Sequence, residues 1–285
     1  MRNCVIGCVV LLAMAGTAYS ETPKPSEQGK APQEVSASGK TEGPPKELAV
    51  DLGGGVKLEM VLIPAGSFMM GSPDSDKDAR GDERPQHRVR ITKPFYLGKY
   101  EVTQEQWEAM MGSNPSESEG PKNPVEKVSW ADCQAFLVKL NAKTGGQGGK
   151  FALATEAQWE YACRAGSTTR YCFGDDDAPL GDYAWYDDNS GSTTHPVGKK
   201  KPNAFGLYEM HGNVEEWCAD WYDQGYYAKS PADDPTGPTT GSTRVFRGGY
   251  WGGTPKYSRS AFRGYNGPWE RDLFLGFRVA RVPAA

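Results

Sequence analysis

Residues 167–244 constrain the fold more than any other part of the chain, because they show neither the 3.6-residue apolar period of a helix nor the alternation of a strand. They run instead through Gly174-Asp175-Asp176-Asp177, Asp187-Asp188-Asn189-Ser190-Gly191 and a Pro-, Gly- and Thr-rich stretch from Pro231 to Gly241. So long an irregular segment in a folded domain points to function, or to an ion that holds the loops. Composition agrees where it bears on this: 35 Gly and 21 Pro in 285 residues exclude a helical bundle. Eight Trp, 14 Tyr and 10 Phe can still bury a core. The formal net charge of −4 excludes a basic nucleic-acid footprint.

The amino end reads as an address. Arg2 precedes an apolar run from Val5 to Ala15, and Ala18-Tyr19-Ser20 forms a small-x-small cleavage pattern, so residues 1–20 are expected to be a signal peptide cut after Ser20. A membrane anchor is the alternative, but the run is short for one, and no later segment is long and apolar enough to span a bilayer. Residues 21–47 carry Pro, Ser, Gly, Lys and Glu without an aromatic and are expected to be a disordered linker. The folded domain is then 48–283, exported to the periplasm or outside the cell. Its cysteines, Cys133, Cys163, Cys172 and Cys218, allow up to two disulfides, or one bridge and two buried thiols. Zinc is disfavoured, since no CxxC occurs and His87, His195 and His211 are scattered.

Within the domain, Val56, Leu58, Met60 and Leu62 alternate as a strand, and Pro64-Ala65-Gly66 suggests a hairpin into Ser67–Met70. Capping boxes mark three helices: Thr103 with Gln106 starts 104–111, Ser129 with Asp132 starts 130–142, and Thr155 with Gln158 starts 156–164. Strands over 244–247 and 275–281 close the domain, and there is no internal repeat.

Eight phrases in order carry a resemblance. They are Ile63-Pro64-Ala65-Gly66-Ser67-Phe68 with Met70-Gly71-Ser72, Tyr100-Glu101-Val102-Thr103, Pro124-Val125 with Val128-Ser129-Trp130, Ala154 to Ala162, Asn203 to Tyr208, Gly212-Asn213-Val214-Glu215-Glu216-Trp217, Arg247-Gly248-Gly249, and Gly276-Phe277-Arg278. Together they resemble the sulfatase-modifying-factor family of formylglycine-generating enzymes. The resemblance implies an irregular α+β domain of C-type-lectin-like architecture with low regular secondary structure. It also implies a copper-binding cysteine pair between the Arg-Gly-Gly and Gly-Phe-Arg phrases, where this sequence has no cysteine; Pro255 and Ser260 fall at the pair's positions. Copper(I) prefers soft thiolates, so copper and formylglycine formation are not expected. A family cation site carries over better, to Glu209, the carbonyls of Gly212 and Val214, and Glu216, all hard oxygen donors suited to Ca²⁺. The alternative is that Glu209 and Glu216 pair with nearby bases. A second family cation site falls near Trp185 and Tyr186, where Asp187, Asp188 and Asn189 are the acids and amide at hand.

Other chemistry is thin. His211 is a lone histidine in a turn, and no serine sits in a GxSxG elbow. Arg247-Gly248-Gly249 reads as a close packing point before an anion nest. No catalytic residue is assigned. The expected function is that of an exported, non-catalytic domain that binds a peptide, glycan or protein partner, and no nucleic acid, through 250–271. Trp251, Tyr257, Ser260, Arg263 and Trp269 are its candidate contacts, with Arg259 and Arg271 as further anion-recognising groups. The alternatives are formylglycine formation on sulfatases, or another enzyme on the same fold using Ser260, Arg263 or Glu270.

Overall fold

In the computed structural model, residues 44–146 and 148–282 are described. The signal peptide and all but the last residues of the linker lie outside them. The chain runs through β1 (Glu47–Gly53), β2 (Val56–Ile63), β3 (Gly66–Met70), β4 (His87–Ile91), β5 (Phe95–Gly98), α1 (Gln104–Met111) and α2 (Trp130–Thr144). It continues through β6 (Lys150–Leu153), α3 (Glu156–Arg164), α4 (Leu180–Tyr183), α5 (Asp187–Ser190), β7 (Glu215–Trp221), β8 (Arg244–Arg247), β9 (Gly264–Asn266), β10 (Leu275–Gly276) and β11 (Val279–Val282).

Three helices form where their caps foretell them. Thr103, Ser129 and Thr155 each accept from the backbone N–H three residues on, and Gln106, Asp132 and Gln158 answer with their side chains. The irregular segment holds α4 and α5, each one turn long.

A five-stranded sheet in the order β1-β2-β5-β11-β6 divides the interior. Side chains alternate across it, so Leu58, Met60 and Val279 meet α1 and α2 around Trp107, Phe136 and Phe277, while Val61, Ile63 and Ala280 meet α3 around Phe95 and Trp159. On the first side, Trp107 stacks on Phe136 at 5.6 Å and Phe277 stands edge-on to Phe136 at 5.3 Å. A four-stranded sheet, β10-β7-β8-β9, borders both cores, since Trp217 joins the first and Cys218 the second.

Two strand expectations change. β2 does not form a hairpin with β3: it pairs with β1 across Gly53-Gly54-Gly55 and with β5, while β3 pairs with β4. Three consecutive left-handed glycines make the β1–β2 reversal, a stronger turn than Pro64-Ala65. The closing strand is broken, with β10 parallel to β7 in the smaller sheet and β11 antiparallel to β5 and β6 in the larger. The switch is made at Gly276, where a Cβ would meet the Val125 carbonyl oxygen at 2.5 Å. Among the described residues, no helix is long and apolar enough to cross a membrane.

Candidate functional site

The sheet switch delivers Arg278 to a buried acidic cluster. Its guanidinium donates to both Glu216 oxygens, through Nε at 3.1 Å to each and Nη2 at 2.7 Å to Oε1, and Trp159 Nε1 donates to Oε2 at 2.8 Å. Glu209, at φ +52°, accepts from the backbone N–H groups of Gly198, Lys199 and Lys200 at 3.0, 3.1 and 3.3 Å. Glu101 accepts from Asn213 Nδ2 at 2.8 Å and the Val214 N–H at 3.1 Å. Three buried carboxylates therefore share the field of Arg278. Burial, then the charges of Glu216 and Glu209, push the Glu101 carboxyl well above its usual range.

The donor set of this cluster bears on calcium. The donors are hard oxygens, negative charge exceeds positive, and Glu209 Oε2 holds a single protein hydrogen bond among the described residues. Gly212 is required where it is, since a Cβ there would lie 2.3 Å from the Trp185 carbonyl oxygen. Glu216 does pair with a base, Arg278, as the alternative reading had it, whereas Glu209 ties down a loop. Among the described residues no group of three or more His, Cys, Asp or Glu side chains is placed to hold a metal. A cation here would thus rest on two carboxylates and main-chain carbonyls. Near the second expected site, the Trp185 ring is stacked on His195 at 3.8 Å with Lys200 Nζ 3.7 Å from its centre. Asn189 is spent on the Tyr186 N–H and the Ala184 carbonyl.

The 250–271 segment divides into a buried and an exposed half. Ser260 and Arg263 are expected as contacts but face the interior, which corrects that expectation. Arg263 donates to both oxygens of Glu156 at 2.6 and 2.9 Å, and Arg259 likewise to Glu83 at 2.7 and 2.8 Å. Each guanidinium is neutralised inside the fold and cannot reach an external anion without breaking a buried ion pair. Arg271 is exposed but held by Asp132. Tyr257 is half-buried, edge-on to Phe262. Trp251 is half-buried, with its indole N–H 3.3 Å from the Leu273 carbonyl. Trp269 is 66% exposed, Tyr265 46% and Leu273 43%, so the apolar surface extends past the expected limit to 274. Leu273 gave no signal because one apolar residue between Asp272 and Phe274 has no periodicity to read.

Among the described residues Cys133, Cys163, Cys172 and Cys218 are all unpaired, so neither disulfide scheme is realised. Cys133, Cys163 and Cys218 are buried, and burial raises each thiol, Cys163 to about 12. Cys163 Sγ lies 3.7 Å from Ser260 Oγ and near the His211 ring. His211 is not a free base: Nδ1 is 2.7 Å from the Ser258 carbonyl and Nε2 accepts from the Cys172 N–H at 3.1 Å. Arg247 is fully buried against Glu156 and Glu160. Gly249 is a packing point, where a Cβ would meet Ser258 Cα at 3.0 Å.

Sequence reading assigns no role to Glu215. In β7 the doublet Glu215-Glu216 must send one carboxylate to each face, and Glu216 takes the side of Arg278. Glu215 is turned to the other side, 4% exposed, with Oε2 lacking a hydrogen-bond partner among the described residues.

Comparison with known proteins shows the family and the fold. Residues 55–283 match the sulfatase-modifying factor enzyme 1-like domain. The formylglycine-generating enzyme of Streptomyces coelicolor is 31% identical over 77% of this chain and 88% of that protein. Chaperone protein LppX of Paenibacillus barcinonensis is 31% identical over 69% of this chain and 79% of its own length. Among solved structures, Treponema denticola variable protein 1 superposes with a TM-score of 0.77 at 34% identity, covering 84% of this chain and 100% of that one. PvdO from Pseudomonas aeruginosa gives 0.74 at 32% identity, covering 84% and 99%. The α+β fold with its curled sheets and few helices is the C-type-lectin-like fold of these neighbours, and the chain belongs to the sulfatase-modifying factor enzyme 1-like family.

Proposed function

We propose that this chain is an exported, non-catalytic binding domain that holds a peptide partner on the face built by residues 250–274. The carrying observation is the exposure of Trp269, Leu273 and Tyr265 together on that segment, beside half-buried Trp251. Large aromatic area on loops pinned between strands gives contact at low entropy cost. The chaperone named among the relatives is in keeping with a binding role. Displayed heptapeptides, selected on the native chain and on Trp269→Ala, test the reading. Recovery should fall at least tenfold in the variant while its melting temperature holds, and equal recovery would refute the face.

The second reading is formylglycine formation, favoured by the identity to named formylglycine-generating enzymes. Against it stand the absence of any cysteine between Gly248 and Arg278 and the burial of three of the domain's four thiols. Copper(I) needs thiolates, and burial keeps those groups protonated. Mass spectrometry of a Cys-x-Pro-x-Arg peptide incubated with the protein and copper should show the thiol intact; an aldehyde product would establish the oxidase.

Calcium belongs to the same proposal. It would be held by Glu209, Glu216 and the carbonyls of Gly212 and Val214, and when bound it supplies positive charge to a cluster short of it. Calcium added after EDTA should raise Tm, since an ion bound only by the folded state stabilises it. Glu216→Gln should abolish the rise, and an unchanged Tm in the native protein would leave the cluster to Arg278 alone.

A further inference from the structure

Residues 213–215 lie between the two halves of the exposed face. The Trp251 N–H donates to the Asn213 carbonyl at 3.0 Å, and the Glu215 N–H donates to the Phe274 carbonyl at 2.8 Å. Glu215 also pairs in register with Leu275. The groups whose fields couple to its carboxylate are Asp272, another acid, and Tyr250, whose ring packs against Phe274 at 4.7 Å and Trp251 at 6.1 Å. No salt bridge to Glu215 occurs among the described residues, whereas Glu83, Glu156, Glu160 and Glu216 each have an arginine. Asp272 is only partly satisfied from its own side, by Asn266 Nδ2 at 2.8 Å.

A buried carboxyl without an ion pair among the described residues, in the field of a second acid and of Tyr250, suits an incoming positive charge. An anion brought out of water is costly unless paired, and aromatic faces attract a cation independently of the carboxylate. We propose that Glu215, supported by Asp272, is a specificity-determining residue of this face and accepts a positively charged side chain, ammonium or guanidinium, of the bound peptide. The inference rests on the reading that 250–274 is the ligand face, and it names the chemical class that the face selects. Glu215 is 4% exposed, and the Trp251 indole, whose backbone N–H is tied to Asn213, is half-exposed with a long 3.3 Å bond to the Leu273 carbonyl.

Selection of a displayed random heptapeptide library on the full chain tests this. The native protein should enrich Lys and Arg at least twofold over the starting library and deplete Asp and Glu. Glu215→Gln and Asp272→Asn should return basic residues to library frequency, and circular dichroism should show both variants folded as the native chain. Lysine without arginine among the selected peptides would assign an ammonium, and both together a less discriminating site. A basic bias that persists in Glu215→Gln, with recovery lost in Trp269→Ala, overturns the cation inference and leaves the ligand face standing. Recovery unchanged in Trp269→Ala overturns the face itself, and no enrichment by the native chain overturns both.

Discussion

At the scale of single residues, burial decides what each conspicuous side chain does. Trp159 and Trp269 carry the same ring, yet Trp159 is walled in beside Glu216 and Arg247 while Trp269 stands in solvent. Trp159→Ala should cost about 3–5 kcal/mol, whereas Trp269→Ala should stay within about 0.5 kcal/mol. Paired denaturant melts check this, and a large loss at Trp269 would make it a structural ring. The same logic applies to thiols. Under native conditions near neutral pH, maleimide should label half-exposed Cys172 and leave Cys133, Cys163 and Cys218 unmodified, since a buried thiol held toward about 12, as Cys163 is, presents almost no thiolate. Rapid labelling of Cys163 in the folded protein, read by peptide mass, would contradict its placement. Burial is also what residue type could not reveal. Arginines at 259 and 263 look like anion receptors in sequence, but Glu83 and Glu156 claim them from segments far away along the chain.

At the scale of elements, α3 organises the ionic interior. Its nine residues carry Glu156, Glu160 and Arg164, and Glu160 sits between Arg164 and Arg247 while accepting the Gly71 N–H at 2.9 Å. Burial alone would raise the Glu160 carboxyl, but the two guanidinium groups hold it below its usual range. Thr155→Ala removes the cap and should cost about 1 kcal/mol; Glu160→Gln leaves two buried guanidinium groups short of a charge and should cost about 3–5 kcal/mol. Urea melts with unchanged slope check both, and a cost at Glu160 below that at Thr155 would mean the network contributes little. The starts of α1, α2 and α3 were legible because a capping box is local: two side chains answer two backbone groups within four residues. The pairing of β2 with β5 and the split of 275–282 between two sheets were not, because both are fixed by partners distant in sequence. For the site, the aromatic stretch was legible as composition, while Glu215 and Asp220 were hidden, since nothing local distinguishes a buried acid from a solvated one.

At the scale of the whole molecule, buried acids give stability a direction in pH. Asp220 is buried beside the start of α3, where Oδ2 accepts the Glu156 N–H at 2.8 Å. Burial, and then the charge of Glu156, push its carboxyl up to about 8 despite that hydrogen bond and the fields of Arg263 and Arg244. The folded protein therefore keeps a proton on Asp220 that the unfolded chain, with an ordinary aspartate, releases near pH 4. Where the folded state binds more protons, stability falls as pH rises. The Asp220 contribution is thus full below about pH 4, declines steadily between there and about pH 8, and levels off once the carboxyl is ionised in both states. Glu160 and Asp132, whose carboxyls lie below their usual range, act in the opposite sense and only in acid, where their pairing is lost as they protonate. The two effects place greatest stability in mildly acidic solution. Asp220→Asn retains an oxygen for the Glu156 N–H and removes the titration, so its stability should change less between pH 5 and pH 8 than that of the native chain. Chemical denaturation across that range reads the difference directly: parallel profiles for the two proteins would show that Asp220 is ionised in the fold at neutral pH, with Arg244 or Arg263 rather than a proton balancing its charge.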